Sequence, residues 1–483
     1  MSIALQLDRN AAETLQDQLF DQLRQLILTS ALKPDTPVAA TRMLAEQLGV
    51  SRITVTLAYE RLISEGYFQA RRGVGTFVSS APPRDGRAGD PPPPPRARPT
   101  SQTTGTRREE ATATADFIDF NPHRTDGVHF LSEKAWLRSI RGVIDHGRAN
   151  VRRGPPAAGA MELREAIVNH LAVTRGVMTT PEQVVIVSGR RQAAALIAHV
   201  LVRRGDVAVV ESPGTPDVVD LLQRRGAEIA PVAVDEHGLE TDRLPCGQVS
   251  LAYVTPTRQD PLGGRLPAHR RERLVAWGRE TGAFLVEDDC DSEIRYRGAP
   301  PRSLAADDVD GRVIYIGSFA KTLGSVLGLG FMVVPADLAP AIVAIKDMAE
   351  VGGWLEQMVV AELLTSGRYE KHVHRVRKAY LERRDVLIGD LTARFGELDL
   401  IGADVGSQFT WVLPPPFPSA AAACERARAA GVGLYPVTAP IAHPRRPTRF
   451  HDRAVILGYA GLARPQLQMG VDRIANCMSR RAG

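Results

Sequence analysis

Two stretches of this 483-residue chain carry residue types that can do chemistry. The first is GSFAKTLGSVLGLG, residues 317 to 330, where Lys321 stands just after the apolar run VIYIGS. An amine offered from such a loop can condense with an aldehyde, the step on which covalent amine catalysis and the capture of an aldehyde cofactor both rest. The second is SRITVTLAYERLISEG, residues 51 to 66, where Ser51 is placed to cap a helix and Arg52 and Thr54 follow in its first turn. Side chains at such a helix start can reach base edges and phosphates.

The elements that hold these residues are legible in the spacing of apolar side chains. Leu15, Leu19, Leu23 and Ile27 recur at helical intervals, TRMLAEQLG forms a short second helix ending at Gly49, and Ser51 opens a third that closes at Gly66. YFQARRGVGTFVSS then reads as two short strands joined by a glycine-containing turn. A short helix, a tight turn and a further helix is the arrangement that lays the start of its last helix in the major groove. In that frame Arg42 is placed for a phosphate. Arg71, Arg72 and Gly73 form the tip of a wing, with glycine letting backbone approach the DNA closely. Residues 1 to 80 hold eight Lys or Arg against eight Asp or Glu, so bulk charge does not decide the matter.

Residues 81 to 115, APPRDGRAGDPPPPPRARPTSQTTGTRREEATATA, hold five consecutive prolines and almost nothing apolar. Such a segment cannot bury enough surface to offset its ordering entropy and reads as an extended linker. From residue 116 on, the apolar runs VVIVSG, VAVVES, VSLAYVTP, AFLVEDD, VIYIGS and GFMVVP alternate with amphipathic helical stretches, the rhythm of an α/β domain with a mainly parallel sheet.

The length calls for two or three domains. A hydrophobic fraction of 44% with 24% charged residues is ordinary for a soluble globular protein, and an aromatic content of 5% points to an aliphatic interior. The formal charge of +5 leaves nucleic-acid binding open. The four cysteines show no metal-ligand spacing, which fits a reduced, cytoplasmic setting. The opening MSIALQLDRN has no basic region followed by an apolar run, so no secretory signal is expected, and no apolar run approaches the roughly 20 residues of a membrane helix.

Over residues 14 to 79 the pattern LQDQL, TRxLAxxLGVSRxTVxxAYxxL, EGY and GxGTFV resembles the winged helix of the GntR regulator superfamily. The resemblance implies an α+β winged helix-turn-helix over residues 1–80, with DNA-binding residues Arg42, Ser51, Arg52, Thr54, Arg72 and Gly73. Val38, Ala39 and Ala40 stand where that family has Leu-Pro-Ser, which removes a helix cap rather than a contact.

Over residues 116–483 the landmarks GPPAAGAMELREAI, VSGRRQAA, VESPGT, VTPTRQDPLGG, FLVEDDCDSEIRY and GSFAKTLGSVLGLGF resemble the fold-type I aminotransferases. The resemblance implies an α/β domain that binds pyridoxal 5'-phosphate and carries a smaller C-terminal α/β subdomain. Fusion to a GntR winged helix marks the MocR group of regulators. Lys321 matches the family's Schiff-base lysine and Asp288 the acid that pairs with the ring nitrogen. Ser318 and Gly189 match donors to the phosphate. Arg190, beside Gly189, is placed to replace missing positive charge, and Cys290 stands where a tyrosine bonds the phenolic oxygen. Other matched positions are changed: Thr215 replaces the ring-stacking tyrosine and Gly328 the phosphate arginine. Arg258, Asp260 and Leu262 replace His, Tyr and Thr, and Asp217 replaces the arginine with which the group's GABA-responsive member holds its ligand.

The expectation is therefore a cytoplasmic transcriptional regulator, a homodimer on double-stranded operator DNA. Its second domain is kept for sensing a small-molecule effector, an amine or amino acid, rather than for turnover. Two alternatives stand beside it: a pyridoxal phosphate-dependent aminotransferase with a fused DNA-binding domain, and a ligand-free regulator with a relic scaffold. Neither a membrane nor a metal is expected among its partners.

Overall fold

The structure is a computed structural model that describes residues 5–9, 11, 13–71, 74–82, 116–126, 131, 133–147, 155–289, 291–298, 301–324, 327–348, 353–437, 450 and 452–479. Arg72, Gly73, Cys290 and nearly all of the stretch read as a linker lie outside the described residues. The chain divides between residues 109 and 110 into two units.

The first unit contains α1 (Leu15–Leu28), α2 (Thr41–Leu48), α3 (Arg52–Ser64), β1 (Phe68–Arg71) and β2 (Gly75–Val78). Leu19, Leu23 and Ile27 of α1 share one core with Val55, Ala58 and Leu62 of α3. The helix ends follow local chemistry. Ser51 Oγ accepts from the Thr54 amide at 3.1 Å, whereas Ala40 gives α2 no side-chain cap, and α2 stops at Gly49 in the left-handed region (φ 64°). β1 and β2 pair antiparallel, with Arg71 opposite Gly75 at the turn.

The second unit opens with β3 (Ile118–Asp119), α4 (Glu133–Gly147) and α5 (Met161–Thr174). It continues through β4 (Val184–Val187), α6 (Arg190–Leu201), β5 (Val207–Ser212), α7 (Pro216–Arg224), β6 (Glu228–Asp235), β7 (Gly238–Leu239), β8 (Leu251–Val254), α8 (Ala268–Thr281), β9 (Phe284–Asp288) and β10 (Val313–Ser318). The one-turn α9 (Ala320–Leu323) leads to β11 (Gly330–Val333), α10 (Ala339–Asp347), α11 (Trp354–Thr365) and the 28-residue α12 (Arg368–Phe395). The rest is β12 (Asp399–Ile401), β13 (Gln408–Val412), α13 (Ala420–Ala429), β14 (Val432–Gly433), β15 (Tyr435–Pro436), β16 (Ala454–Gly458) and α14 (Arg464–Ser479).

Eight strands form one sheet in the order β4-β11-β10-β9-β8-β5-β6-β7. β10, β9, β8, β5 and β6 run parallel, and β11 is antiparallel to both its neighbours. The apolar runs are continuous because both faces are covered. Val184 and Ile186 pack with α5 and α11, while Val185 and Val187 face the opposite way, into the cluster with α6 and α10. The core is largely aliphatic, as the composition implies.

A second sheet, β12-β13-β16-β15, forms the smaller subdomain with α13 and α14. Its core also takes Ile118 and Phe120 from the start of the unit, because β3 pairs with β14. α12, about 42 Å long, contributes Tyr369 and Val373 to the large core and Tyr380, Leu387 and Leu391 to the small one. Among the described residues no helix is long and apolar enough to cross a membrane.

Candidate functional site

In the first unit the start of α3 is open. Arg52 is exposed and Thr54 half-buried, its hydroxyl 2.8 Å from Ser51 Oγ. Among the described residues Arg42 pairs with Glu46 at 3.3 Å, in a pair too exposed to hold it against a stronger partner. Arg71 pairs with Asp35 and lies over the Phe77 ring. Ile53, 71% exposed, was not singled out from the sequence, though the signal was there: it falls outside the buried set Val55, Ala58, Tyr59 and Leu62.

In the second unit strand register gathers the predicted residues at one edge of the sheet. Parallel pairing sets Ile316 opposite Asp288, so Ser318 lies two residues further along the neighbouring strand. Ser318 pairs with Gly330, and Gly330 with Val187, which brings Gly189 to the same edge. This carboxyl end of the strands is where open α/β sheets bind ligands. Gly189 sits at φ 137°, a conformation other residues rarely adopt, and caps the amide end of α6. Ser318 Oγ accepts from the Ala320 amide at 3.2 Å.

Lys321 and Asp288 fall in two adjacent charge clusters. Lys321 Nζ donates to Pro122 O and to Ser407 Oγ, both at 3.2 Å, and Asp291 Oδ1 lies 3.9 Å away. The other Asp291 oxygen accepts from Arg258 at 3.3 Å. Arg258 is itself tied to Val405 O and Gln408 O, so it staples the loop after β8 to the small subdomain and is not free for a ligand. Buried Asp288 accepts a 2.6 Å hydrogen bond from Tyr253 OH, and Arg190 Nη1 stands 3.7 Å from it and 2.8 Å from Asp260. Burial works against charge on Asp260, but the Arg190 and Arg258 guanidinium groups outweigh it and hold the carboxyl below its usual range. Asp289 faces elsewhere, into a buried pair with Arg175 at 2.7 Å.

Asp291, Tyr253 and Ser407 were not anticipated. Asp291 lies in the acidic run EDDCDSE, and Tyr253 carries a polar tip within LAYV, both weak signals. Ser407 gives none, since its partner lies 86 residues away in sequence.

The residues suit pyridoxal phosphate in part. An amine, a buried acid and the amide end of a helix match its aldehyde, ring nitrogen and phosphate. Thr215, buried as the cap of α7, cannot stack on a ring, and Gly328, with no heavy atom within 4 Å of an added Cβ, offers no guanidinium. When bound, the cofactor supplies an aldehyde and an electron-accepting ring. Asp288 would face the ring nitrogen, and Lys321 would present its amine from the short α9.

Fold and site together define a winged-helix DNA-binding unit joined to an aminotransferase-like domain. The model of bacterial regulatory proteins of the gntR family matches residues 15–78, and that of aminotransferase class I and II matches residues 121–450. The chain is 33% identical over 490 residues to a probable rhizopine catabolism regulatory protein, MocR, of Rhizobium meliloti, covering 97% of this chain and 95% of that one. It is 31% identical to the HTH-type transcriptional regulator TauR of Rhodobacter capsulatus, covering 96% of each. It is also 31% identical to the pyridoxine biosynthesis regulator PdxR of Corynebacterium glutamicum, over 80% of this chain and 82% of that one. The kynurenine aminotransferase of Pyrococcus horikoshii shares the fold at a TM-score of 0.68 and 24% identity, covering 76% of this chain and 91% of that one. The chain belongs to the MocR-type regulators: it is a DNA-binding transcriptional regulator with an aminotransferase-like domain.

Proposed function

We propose that the aminotransferase-like domain senses a small molecule through pyridoxal phosphate taken up on Lys321, and that it adjusts the grip of a homodimer on operator DNA in the cytoplasm. The carrying observation is the position of Lys321, an amine 19% exposed at the carboxyl edge of the sheet, the edge at which buried Asp288 ends its strand. The partial donor set supports reversible occupancy. Without the arginine fork about 3–6 kcal/mol of phosphate binding is missing, roughly two to four orders of magnitude in affinity. A site that fills and empties suits a sensor, which needs different affinities in two conformations. Turnover is disfavoured because Thr215 and Gly328 give the ring and phosphate no firm seat, and because the nearby guanidinium of Arg258 is committed to backbone carbonyls. In this reading Arg42, Ser51, Arg52 and Thr54 bind or shape the DNA contact, and the effector is an amine or amino acid.

The test is an absorbance spectrum of the purified protein with added pyridoxal phosphate, before and after borohydride, beside Lys321→Ala. A reducible band lost in the variant supports the reading. No band in either protein removes the cofactor from it and leaves a regulator with another ligand or none.

A further inference from the structure

The lysine region does not account for a cavity of about 310 Å³ that opens between the end of α5, the loop after β9 and the start of α12. Its lining shares Ser318 with that region but includes neither Lys321, Asp288 nor Arg190. Three carboxylates face it and each is engaged. Asp289 holds Arg175 at 2.7 Å and accepts from Tyr315 at 2.6 Å. Glu293 is bonded to His170 at 2.8 Å and to Tyr369, and Glu370 lies 3.7 Å from the other ring nitrogen of His170.

Arg295 and Arg377 are served differently. Each fixes its Nε on a backbone carbonyl, Gly298 O at 2.9 Å and Glu293 O respectively, and among the described residues no hydrogen bond is found from the forked end of either guanidinium. Among the described residues neither forms an ion pair, and Arg295 Nη1 is buried without a hydrogen-bond partner. Burial pushes the Arg295 guanidinium down to about 10, and the nearby positive charges of Arg377, Arg175 and Arg265 push the same way. Asp289 offsets this only in part for Arg295, and Arg377 acts on Glu293, but both carboxylates are already bonded to other partners. The wall also carries apolar side chains, Leu171, Phe331 and Val373 among them, beside the hydroxyls of Thr174, Ser292 and Ser318.

We propose that this cavity is a second binding site, for a small organic carboxylate held by Arg295 and Arg377, with its apolar body against Leu171, Phe331 and Val373. The inference stands apart from the reading that Lys321 holds a cofactor. The two places are nonetheless joined. Phe319 lines the cavity, and Thr322, the residue after Lys321, is hydrogen-bonded to Tyr369 OH at 2.9 Å, so an occupant would press on the short helix that carries the lysine.

Benzoate is a suitable probe, with benzamide as its neutral counterpart and inorganic phosphate as an anion without an apolar body. Titration calorimetry on the full chain is expected to show benzoate binding at millimolar concentration or better, and benzamide and phosphate at least about ten-fold weaker. Arg377→Ala should weaken benzoate roughly ten-fold or more, since it removes charge-assisted hydrogen bonds. Arg377→Gln is the alternative should Arg377→Ala fail to fold. Lys321→Ala should bind benzoate like the wild type. Absence of benzoate binding, equal binding of phosphate, or benzoate affinity unmoved by either Arg377 variant overturns the proposal. Loss of binding in Lys321→Ala also overturns it, because it puts the ligand in the lysine region.

Discussion

The Arg190 guanidinium stands 3.7 Å from the Asp288 carboxylate and holds Asp260 at 2.8 Å. Asp288, which in the proposed reading faces the ring nitrogen, thus has a cation from its own chain, carried on the first residue of α6. Arg190→Ala withdraws that charge from two carboxylates at once. A loss of about 2 kcal/mol in urea unfolding is expected, below the range for a fully buried pair because Arg190 is partly exposed. Added pyridoxal phosphate should recover more stability in the variant than in the wild type, since the ring nitrogen then meets Asp288 without competition. Unchanged unfolding with and without pyridoxal phosphate would show the contact to be idle.

Glu211, buried at the end of β5, accepts from the Thr255 amide at 3.1 Å and from Gln259 at 3.2 Å. Burial pushes its carboxyl up to about 7, and these hydrogen bonds offset only part of the effect. The folded value lies above the unfolded one, so the folded chain keeps a proton that the unfolded chain gives up. Glu211's contribution is therefore full below the unfolded value of 4.5 and is lost as pH rises through about 7. The span corresponds to about 3 kcal/mol. Glu211→Gln removes the titration. Chemical unfolding measured across this pH window should show the wild type losing stability relative to the variant, and parallel curves would contradict the assignment.

The six apolar runs were legible because strands covered on both faces need no alternation. β6 was not, because Pro231 breaks its run EIAPVAVD; the strand tolerates it beside the short edge strand β7, which pairs only with Val234 and Asp235. Lys321, Asp288, Ser318 and Gly189 came from the family resemblance; the last three lie where a strand ends or a helix opens, and strand register brings them to one edge of the sheet. The partners of Lys321 could not be placed from sequence. Pro122 and Ser407 reach it across 199 and 86 residues, and the pairing of β3 with β14 depends on the same long-range closure.

Arg42 and Ile53 are expected to make two different kinds of DNA contact. Arg42 can exchange its exposed partner Glu46 for a phosphate, so Arg42→Ala should weaken binding to all sequences alike and lower the slope of log affinity against log salt by about 1. Ile53 has no packing role that explains an apolar side chain beside Arg52, and it suits a thymine methyl in the major groove. Ile53→Ala should leave the salt slope alone and relax preference at one base pair. Anisotropy titrations over a salt series, combined with selection from a randomised operator, distinguish the two. Uniform weakening by Ile53→Ala would rule out base reading at this position.

Gly406 holds a backbone of φ 89°, and an added Cβ would lie 2.7 Å from Arg258 Nε. Arg258 cannot yield, because it is buried and bonded to Val405 O, Gln408 O and Asp291. Gly406→Ala combines left-handed strain with a clash and should cost about 2–4 kcal/mol. Because Asp291 lies between Arg258 and Lys321, the variant should also lower the yield of borohydride trapping with pyridoxal phosphate. The fitting control is Gly389 in α12, where an added Cβ meets no heavy atom within 4 Å. Gly389→Ala should stabilise by roughly 0.5–1 kcal/mol, by reducing the freedom of the unfolded chain, and leave trapping unchanged. Opposite signs in thermal unfolding would tie the Gly406 effect to Arg258, whereas equal losses would make it a general penalty of replacing glycine.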